Sequence, residues 1–109
     1  LSPTAKVPLL IWDGLEIWES LAIAEFIAEW APPGEVWPLD PEKRAIARAV
    51  SSEMHAGFQT IRNMCSMDIR SRHPTPDMTP ALEADIARLQ TMWSGLRAKH
   101  GREGPFLFG

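Results

Sequence analysis

The 109-residue chain contains a single cysteine, no tyrosine and no long hydrophobic run. One cysteine, Cys65, excludes an internal disulfide and fits a reducing compartment. No apolar segment approaches the ~20 residues that a membrane-spanning helix requires, and no signal-peptide pattern opens the chain. These absences predict a cytoplasmic protein that has no membrane partner.

Positive charge is also scarce, with 11 Lys and Arg residues against 14 Asp and Glu and a formal net charge of −3. Nucleic acid is not expected as a partner, because phosphate backbones are bound by dense Lys and Arg surfaces that this sequence lacks. Its three histidines, His55, His73 and His100, lie far apart in the sequence. They do not have metal-ligand spacing, so no metal site is expected.

The chain does contain a clear hairpin signal near its start. Asp13-Gly14 stands between two apolar runs, and this dipeptide favours a type I′ turn, which needs positive φ at both central positions. After the turn, Leu15 and Ile17 alternate with Glu16 and Trp18, as a strand with one buried face requires. A lone hairpin is marginal in water, so this one should pair with further strands or pack on helices.

Helical periodicity follows the hairpin directly. From Glu19 to Trp30 apolar residues recur at helical spacing, and Ala31-Pro32-Pro33-Gly34 then ends the predicted helix. The apolar stripe consists of Ile23, Phe26, Ile27 and Trp30. The stretch from Pro32 to Pro41 contains four prolines and predicts an extended linker.

Two longer helices are predicted after the linker. One begins at Pro41 with Asp40 as its N-cap and continues to about Ile69, and the other begins at Thr79-Pro80 and ends at Gly101. The predicted buried positions are Ile46, Val50, Met54, Phe58, Ile61 and Cys65 on the first and Leu82, Ile86, Leu89, Trp93 and Leu96 on the second. Cys65 is therefore interpreted as a buried structural thiol rather than a nucleophile. Two such helices should pack antiparallel.

Chemistry is expected where Glu19 and Ser20 open the first helix directly after a strand. A helix N-terminus leaves backbone N–H groups unpaired and carries partial positive charge, so it can bind a small carboxylate. Ser20 can add a hydroxyl donor, and Glu19 can accept from an ammonium group, which together suit an α-amino acid head group. The alternative interpretation is that one of these two residues only caps the helix.

Two segments then carry a family resemblance. Residues 2–10, Ser-Pro-Thr-Ala-Lys-Val-Pro-Leu-Leu, with Asp13-Gly14 and residues 18–23, Trp-Glu-Ser-Leu-Ala-Ile, resemble the second half of the thioredoxin-like domain of glutathione S-transferases. Residues 37–45 resemble the linker of that family and the entry into its helical domain. Residues 52–58 look like the first helix of that domain in bacterial members.

The resemblance implies a fold and its boundaries. The fold class is an α+β fragment, a β-hairpin plus helix from a thioredoxin-like domain followed by an all-α helical domain. Residues 1–31 would be the C-terminal half of the glutathione-binding domain, residues 32–40 the linker, and residues 41–109 the N-terminal part of the helical domain. The resemblance further implies a homodimer whose contacts come from the helices at about residues 41–69 and 79–100.

The resemblance also implies a set of glutathione-binding residues. Val7 would contact the cysteinyl part of glutathione through its backbone, and Pro8 would be a cis proline. Glu19 and Ser20 would hold the γ-glutamyl ammonium and carboxylate, and Lys6 is a weaker candidate for the other end of the peptide. No catalytic residue is assigned, because the Ser, Cys or Tyr that stabilises the glutathione thiolate in this family would precede Leu1.

The implied function is conjugation or reduction of small hydrophobic electrophiles, with glutathione as a substrate. The chain by itself is expected to be inactive, because it lacks the residue that stabilises the thiolate. The alternative is a non-catalytic binding or assembly module of the same fold. Glu19 and Ser20 favour the enzyme, since an assembly module does not need a γ-glutamyl site.

Overall fold

The computed structural model describes residues 2–102 and 104–109. In chain order the elements are β1 Leu9–Trp12, β2 Leu15–Trp18, α1 Ser20–Trp30, α2 Pro41–Ala56, α3 Gln59–Met64 and α4 Pro80–His100. A two-stranded antiparallel sheet followed by helices confirms the predicted α+β class. No helix in the described part of the chain is long and apolar enough to cross a membrane.

The chain divides into two compact units, Leu1–His55 and Ala56–Gly109. The first unit contains the hairpin, α1 and nearly all of α2, and the second contains α3 and α4. The domain boundaries implied by the resemblance, at residues 31 and 40, remain a prediction.

The hairpin has the predicted turn. Asp13 and Gly14 both have positive φ, 48° and 82°, as a type I′ turn requires. In the antiparallel register Leu9 pairs with Trp18 and Trp12 pairs with Leu15. The start of β1 and the end of β2 therefore lie side by side at the end opposite the turn, which we call the open end of the hairpin.

Aromatic side chains hold α1 against the hairpin. The ring of Trp12 on β1 lies 6.0 Å from that of Phe26 and 5.9 Å from that of Trp30, measured between centroids. Both partners belong to the predicted stripe of α1, so the periodicity correctly identified the face that packs on the strands. Trp12 and Trp30 remain 49% and 67% exposed, which leaves part of this apolar face uncovered.

The start of α2 is capped as predicted. Lys43 N donates to Asp40 Oδ1 at 2.8 Å, and Pro41 is the first helical residue. The end of the linker is also fixed, because the guanidinium of Arg44 donates to the carbonyl of Leu39 at 2.8 Å.

The predicted continuous helix from Pro41 to Ile69 is wrong. α2 ends at Ala56, Phe58 has a left-handed backbone conformation with φ 62° and ψ 38°, and α3 covers only Gln59–Met64. The backbone N–H groups of Thr60 and Ile61, which a new helix start leaves unpaired, donate to Asp85 Oδ2 of α4 at 3.1 and 3.2 Å. A contact with a residue 24 positions later thus stabilises the break.

The break also corrects the predicted environment of Cys65. This residue is the C-cap of α3 and is exposed, so it is not a buried structural thiol. The predicted stripe fails there because the helix that would bury Cys65 stops at Met64. Phe58, by contrast, is buried as expected, although it lies between helices rather than within one.

α4 begins and ends where the sequence predicts. Thr79 Oγ1 accepts from Leu82 N at 3.3 Å, and Gly101 follows the last helical residue. Leu82 is fully buried, but the buried residue near the middle of the helix is Met92, whereas the predicted Trp93 is 46% exposed. Met92 lies seven residues after Asp85 and therefore on the same face of α4. That face is the one against which α3 packs, since Asp85 accepts hydrogen bonds from α3.

We predict opposite stability effects for one substitution at two glycines. Both sites have free space for a methyl group, so the backbone conformation at each site decides whether alanine stabilises or destabilises the protein. Gly14→Ala should destabilise the protein by about 1 kcal/mol, because alanine disfavours the φ of +82° found there. Gly95→Ala lies inside α4 and should stabilise by up to about 1 kcal/mol. Urea unfolding of the full-length protein measures both, and shifts of equal sign would contradict the assignment.

Candidate functional site

The open end of the hairpin brings four of the predicted site residues to one edge of the first unit. Val7 and Pro8 lead into β1 at Leu9, and Glu19 and Ser20 follow β2 at Trp18, the residue that pairs with Leu9. Neighbouring strands lie about 4.8 Å apart, so the two segments leave the sheet next to each other.

The Val7-Pro8 segment has the predicted backbone. The Val7–Pro8 peptide bond is cis, which confirms that expectation. Val7 precedes the first ladder residue and is 92% exposed, so its backbone groups are available to a ligand. Lys6 is exposed as well, and no ion pair is found for it among residues 2–102 and 104–109.

The N-terminus of α1 has no side-chain cap. Glu19 is the N-cap residue and makes no side-chain cap hydrogen bond, and Ser20 is already the first helical residue. The first turn contains no acidic residue, and the helical ladder begins when Ile23 N donates to Glu19 O at 3.0 Å. Neither Glu19 nor Ser20 therefore plays the capping role that the sequence left open. The amides at Ser20, Leu21 and Ala22 precede the first bond of the helix ladder, and amides at such a position can bind an anion.

Glu19 has an unusual backbone conformation, with φ 69° and ψ 119°. Positive φ is rare for a residue that is not glycine, and such conformations cost about 1–3 kcal/mol. Backbone strain of this kind concentrates at functional sites, where the surrounding structure imposes it. The conformation turns the side chain of Glu19 away from a cap position and into an ion pair.

The partner of Glu19 is His55, a residue that sequence reasoning did not assign to the site. His55 Nε2 lies 3.0 Å from Glu19 Oε2, and both side chains are about half exposed. His55 stands in the last turn of α2, 36 positions after Glu19 in the chain. No local pattern links two residues at that separation, so only the packing of α2 within the first unit reveals the pair.

A second long-range ion pair connects α1 to α2. Arg48 Nε donates to Glu25 Oε1 at 2.7 Å, and its second nitrogen donates to Glu25 Oε2 at 2.9 Å, a bidentate arrangement. The guanidinium also lies 5.4 Å from the ring centroid of Trp37 in the linker. Arg48 therefore joins three segments of the first unit, namely α1, the linker and α2.

This pair has a defined pH dependence. The hydrogen bonds from Arg48 lower the pKa of Glu25, and the Glu25 carboxylate raises the pKa of Arg48. Because the folded-state pKa of Glu25 lies below its ordinary value, its contribution to stability is complete above that ordinary value. The contribution is lost as the pH falls through the lowered pKa.

Within the described ranges, no group of three or more His, Cys, Asp or Glu residues is arranged to hold a metal ion. What the open end of the hairpin offers instead is a set of complementary polar groups. These groups are the first backbone amides of α1, the Ser20 hydroxyl, the Glu19 carboxylate and the exposed backbone at Val7.

Comparison with known proteins agrees with this geometry. The family model of the glutathione S-transferase N-terminal domain matches residues 1–29, which contain the hairpin and its open end. A probable maleylacetoacetate isomerase of Caenorhabditis elegans is 45% identical over 64 residues, which are 59% of this chain and 30% of that protein. Maleylacetoacetate isomerase of Rattus norvegicus is 42% identical over 64 residues, with the same coverage of 59% and 30%.

Glutathione S-transferase D7 of Drosophila melanogaster is also similar, with 40% identity over 48 residues that cover 42% of this chain and 21% of that protein. The family-model match and these relatives support the glutathione S-transferase family, as the residues around Val7-Pro8 and Glu19-Ser20 indicated. It spans about 30% of the length of the isomerases that it matches.

Proposed function

We propose that the open end of the hairpin binds the γ-glutamyl part of glutathione and that the chain supplies this site to a glutathione-dependent enzyme. The observation that carries the proposal is the uncapped N-terminus of α1, with Ser20 at its first position and the Glu19 carboxylate beside it. An α-amino acid head group has one carboxylate and one ammonium group, and this site offers a complement to each.

Each site residue has a distinct role in this proposal. The γ-glutamyl carboxylate binds the first amides of α1 and the Ser20 hydroxyl, where the helix dipole favours an anion. The ammonium group binds the Glu19 carboxylate in a charge-assisted hydrogen bond. The exposed backbone of Val7 contacts the cysteinyl part, with Pro8 in the cis form. Lys6 is a weaker candidate for binding the far carboxylate of the peptide.

The chemistry of such an enzyme depends on the glutathione thiol, whose thiolate form is the nucleophile. Binding at the open end orients the peptide and so positions that thiol. Two reaction classes follow: transfer to, or reduction of, a small hydrophobic electrophile, and isomerisation of maleylacetoacetate. The second is favoured by the names of the relatives from Caenorhabditis elegans and Rattus norvegicus.

We also propose that the enzyme is a cytoplasmic homodimer. Apolar residues of the second unit that packing leaves exposed support a partner surface: Met64, Met67, Ile69, Met78 and Trp93. Monomers rarely expose large contiguous apolar patches, and a second copy is the commonest cover. Light scattering at micromolar concentration distinguishes the dimer from a stable monomer, which would contradict this part of the proposal.

Ser20→Ala tests the binding site. Loss of the hydroxyl removes a hydrogen bond to the γ-glutamyl carboxylate, so glutathione binding by the full-length protein should weaken by about 1–3 kcal/mol, or roughly 5- to 150-fold in Kd. Titration calorimetry measures the change. Ser94→Ala, at an exposed position in α4, is the matched control and should bind as the wild type does. Equal affinity of the Ser20→Ala and wild-type proteins would refute the role of Ser20.

The reaction class is tested by two assays on the full-length protein. We expect turnover of maleylacetoacetate that requires glutathione, and we expect Ser20→Ala to raise the glutathione KM. A chloronitrobenzene serves as the general electrophile for conjugation. Turnover of neither substrate despite measurable glutathione binding would favour the non-catalytic module.

A further inference from the structure

The contact between His55 and Glu19 places a second ionisable group directly on the proposed ammonium acceptor. His55 Nε2 is 3.0 Å from Glu19 Oε2, with the two side chains 45% and 48% exposed. Solvent protons therefore reach both groups. Histidine is the residue type that acts most often as a pH switch in proteins, which makes the charge on this contact the property to test.

The neutral and protonated forms of His55 differ in what they leave Glu19 to offer a ligand. A carboxylate has two oxygens, and His55 occupies Oε2, which leaves Oε1 for an ammonium group. A neutral imidazole that donates through Nε2–H orients the carboxylate and leaves its negative charge in place. An imidazolium adds a positive charge about 3 Å away and competes with the ligand ammonium for the same carboxylate.

The other charged side chains of β2, α1 and α2 are Glu16, Glu25, Glu29, Glu42, Lys43, Arg44, Arg48 and Glu53. Glu25 and Arg48 satisfy each other through their bidentate pair. In the part of the chain that the structure describes, the ion pair of His55 is with Glu19. The charge state of His55 therefore acts first on Glu19.

We propose that His55 is a positioning residue of the glutathione site. Its neutral form holds the Glu19 carboxylate in place for the γ-glutamyl ammonium, and its protonation weakens glutathione binding. The inference rests on the proposed function, because it assigns Glu19 to the ammonium group of the ligand.

The pH dependence of affinity tests this assignment. The ligand is S-methylglutathione, which has no ionisable thiol and whose amino group stays mostly cationic between pH 5.5 and 7.0. Titration calorimetry with the full-length protein should show that Kd falls about three- to tenfold as the pH rises from 5.5 to 7.0. This is the size expected for a half-exposed charge pair.

Substitutions show which residue causes the change of Kd with pH. His55→Gln keeps a side-chain N–H donor for Glu19 and removes the titration, so its Kd should stay within about twofold of the wild-type value at pH 7.0 and be independent of pH. Glu19→Gln should bind weakly at every pH, because the ammonium loses its counter-charge. The matched control is His73→Gln, since His73 also contacts a carboxylate, with Nε2 2.9 Å from Asp68 Oδ2, and it should keep the wild-type slope.

Three results would overturn the role of His55. In the first, the Kd of His55→Gln changes with pH as the wild-type Kd does. In the others, the wild-type affinity does not vary with pH, or it rises on acidification. Each of these leaves glutathione binding itself intact. Failure of the proposed function has a different signature, namely no binding of S-methylglutathione by the wild-type protein at any pH. Circular dichroism of each variant checks that the helices are retained.

Discussion

The antiparallel register of the hairpin is the constraint on which the site depends. Because Leu9 pairs with Trp18, the segment that enters β1 and the segment that leaves β2 must lie at the same edge. The Asp13-Gly14 turn fixes this register, since a type I′ turn permits only a two-residue connection. A slip of one residue would turn the side chains of one strand to the opposite face of the sheet and shift Val7 relative to Glu19. The turn therefore positions a site at the far end of the hairpin from itself.

Long-range contacts then complete the environment of that edge. The aromatic residues of β1 and α1 hold the helix on the hairpin, so the first turn of α1 stays beside the open end. The Glu25–Arg48 pair joins α1 to α2, and the last turn of α2 brings His55 to Glu19. Glu19, where this contact forms, is also the residue with the unusual backbone conformation of φ 69° and ψ 119°. The candidate binding residue Glu19 and its partner His55 thus come from different parts of one unit.

Local signals predicted most of the fold. The Asp-Gly turn, the stripe of α1, the Asp40 cap and the Thr79 cap each depend on residues within a few positions, and all four are found in the structure. The break after Ala56 could not be predicted from local signals, because it depends on Asp85 of α4. The Asp85 carboxylate accepts hydrogen bonds from the first backbone amides of α3, which lie 24 and 25 positions earlier in the chain. The exposure of Cys65 and the burial of Met92 in place of Trp93 follow from the same packing of α3 on α4. At the candidate site, sequence placed Glu19 and Ser20 at a helix N-terminus, but the contact with His55 exists only in the folded unit.

Amide chemical-shift mapping shows whether glutathione binds at the open end of the hairpin. The full-length protein, labelled with ¹⁵N, is titrated with S-methylglutathione, and each amide reports whether the ligand lies nearby. We expect the largest shifts within this chain at Val7, Glu19, Ser20 and Leu21. Shifts confined to residues 56–109, with Val7 and Ser20 unmoved at saturation, would contradict it.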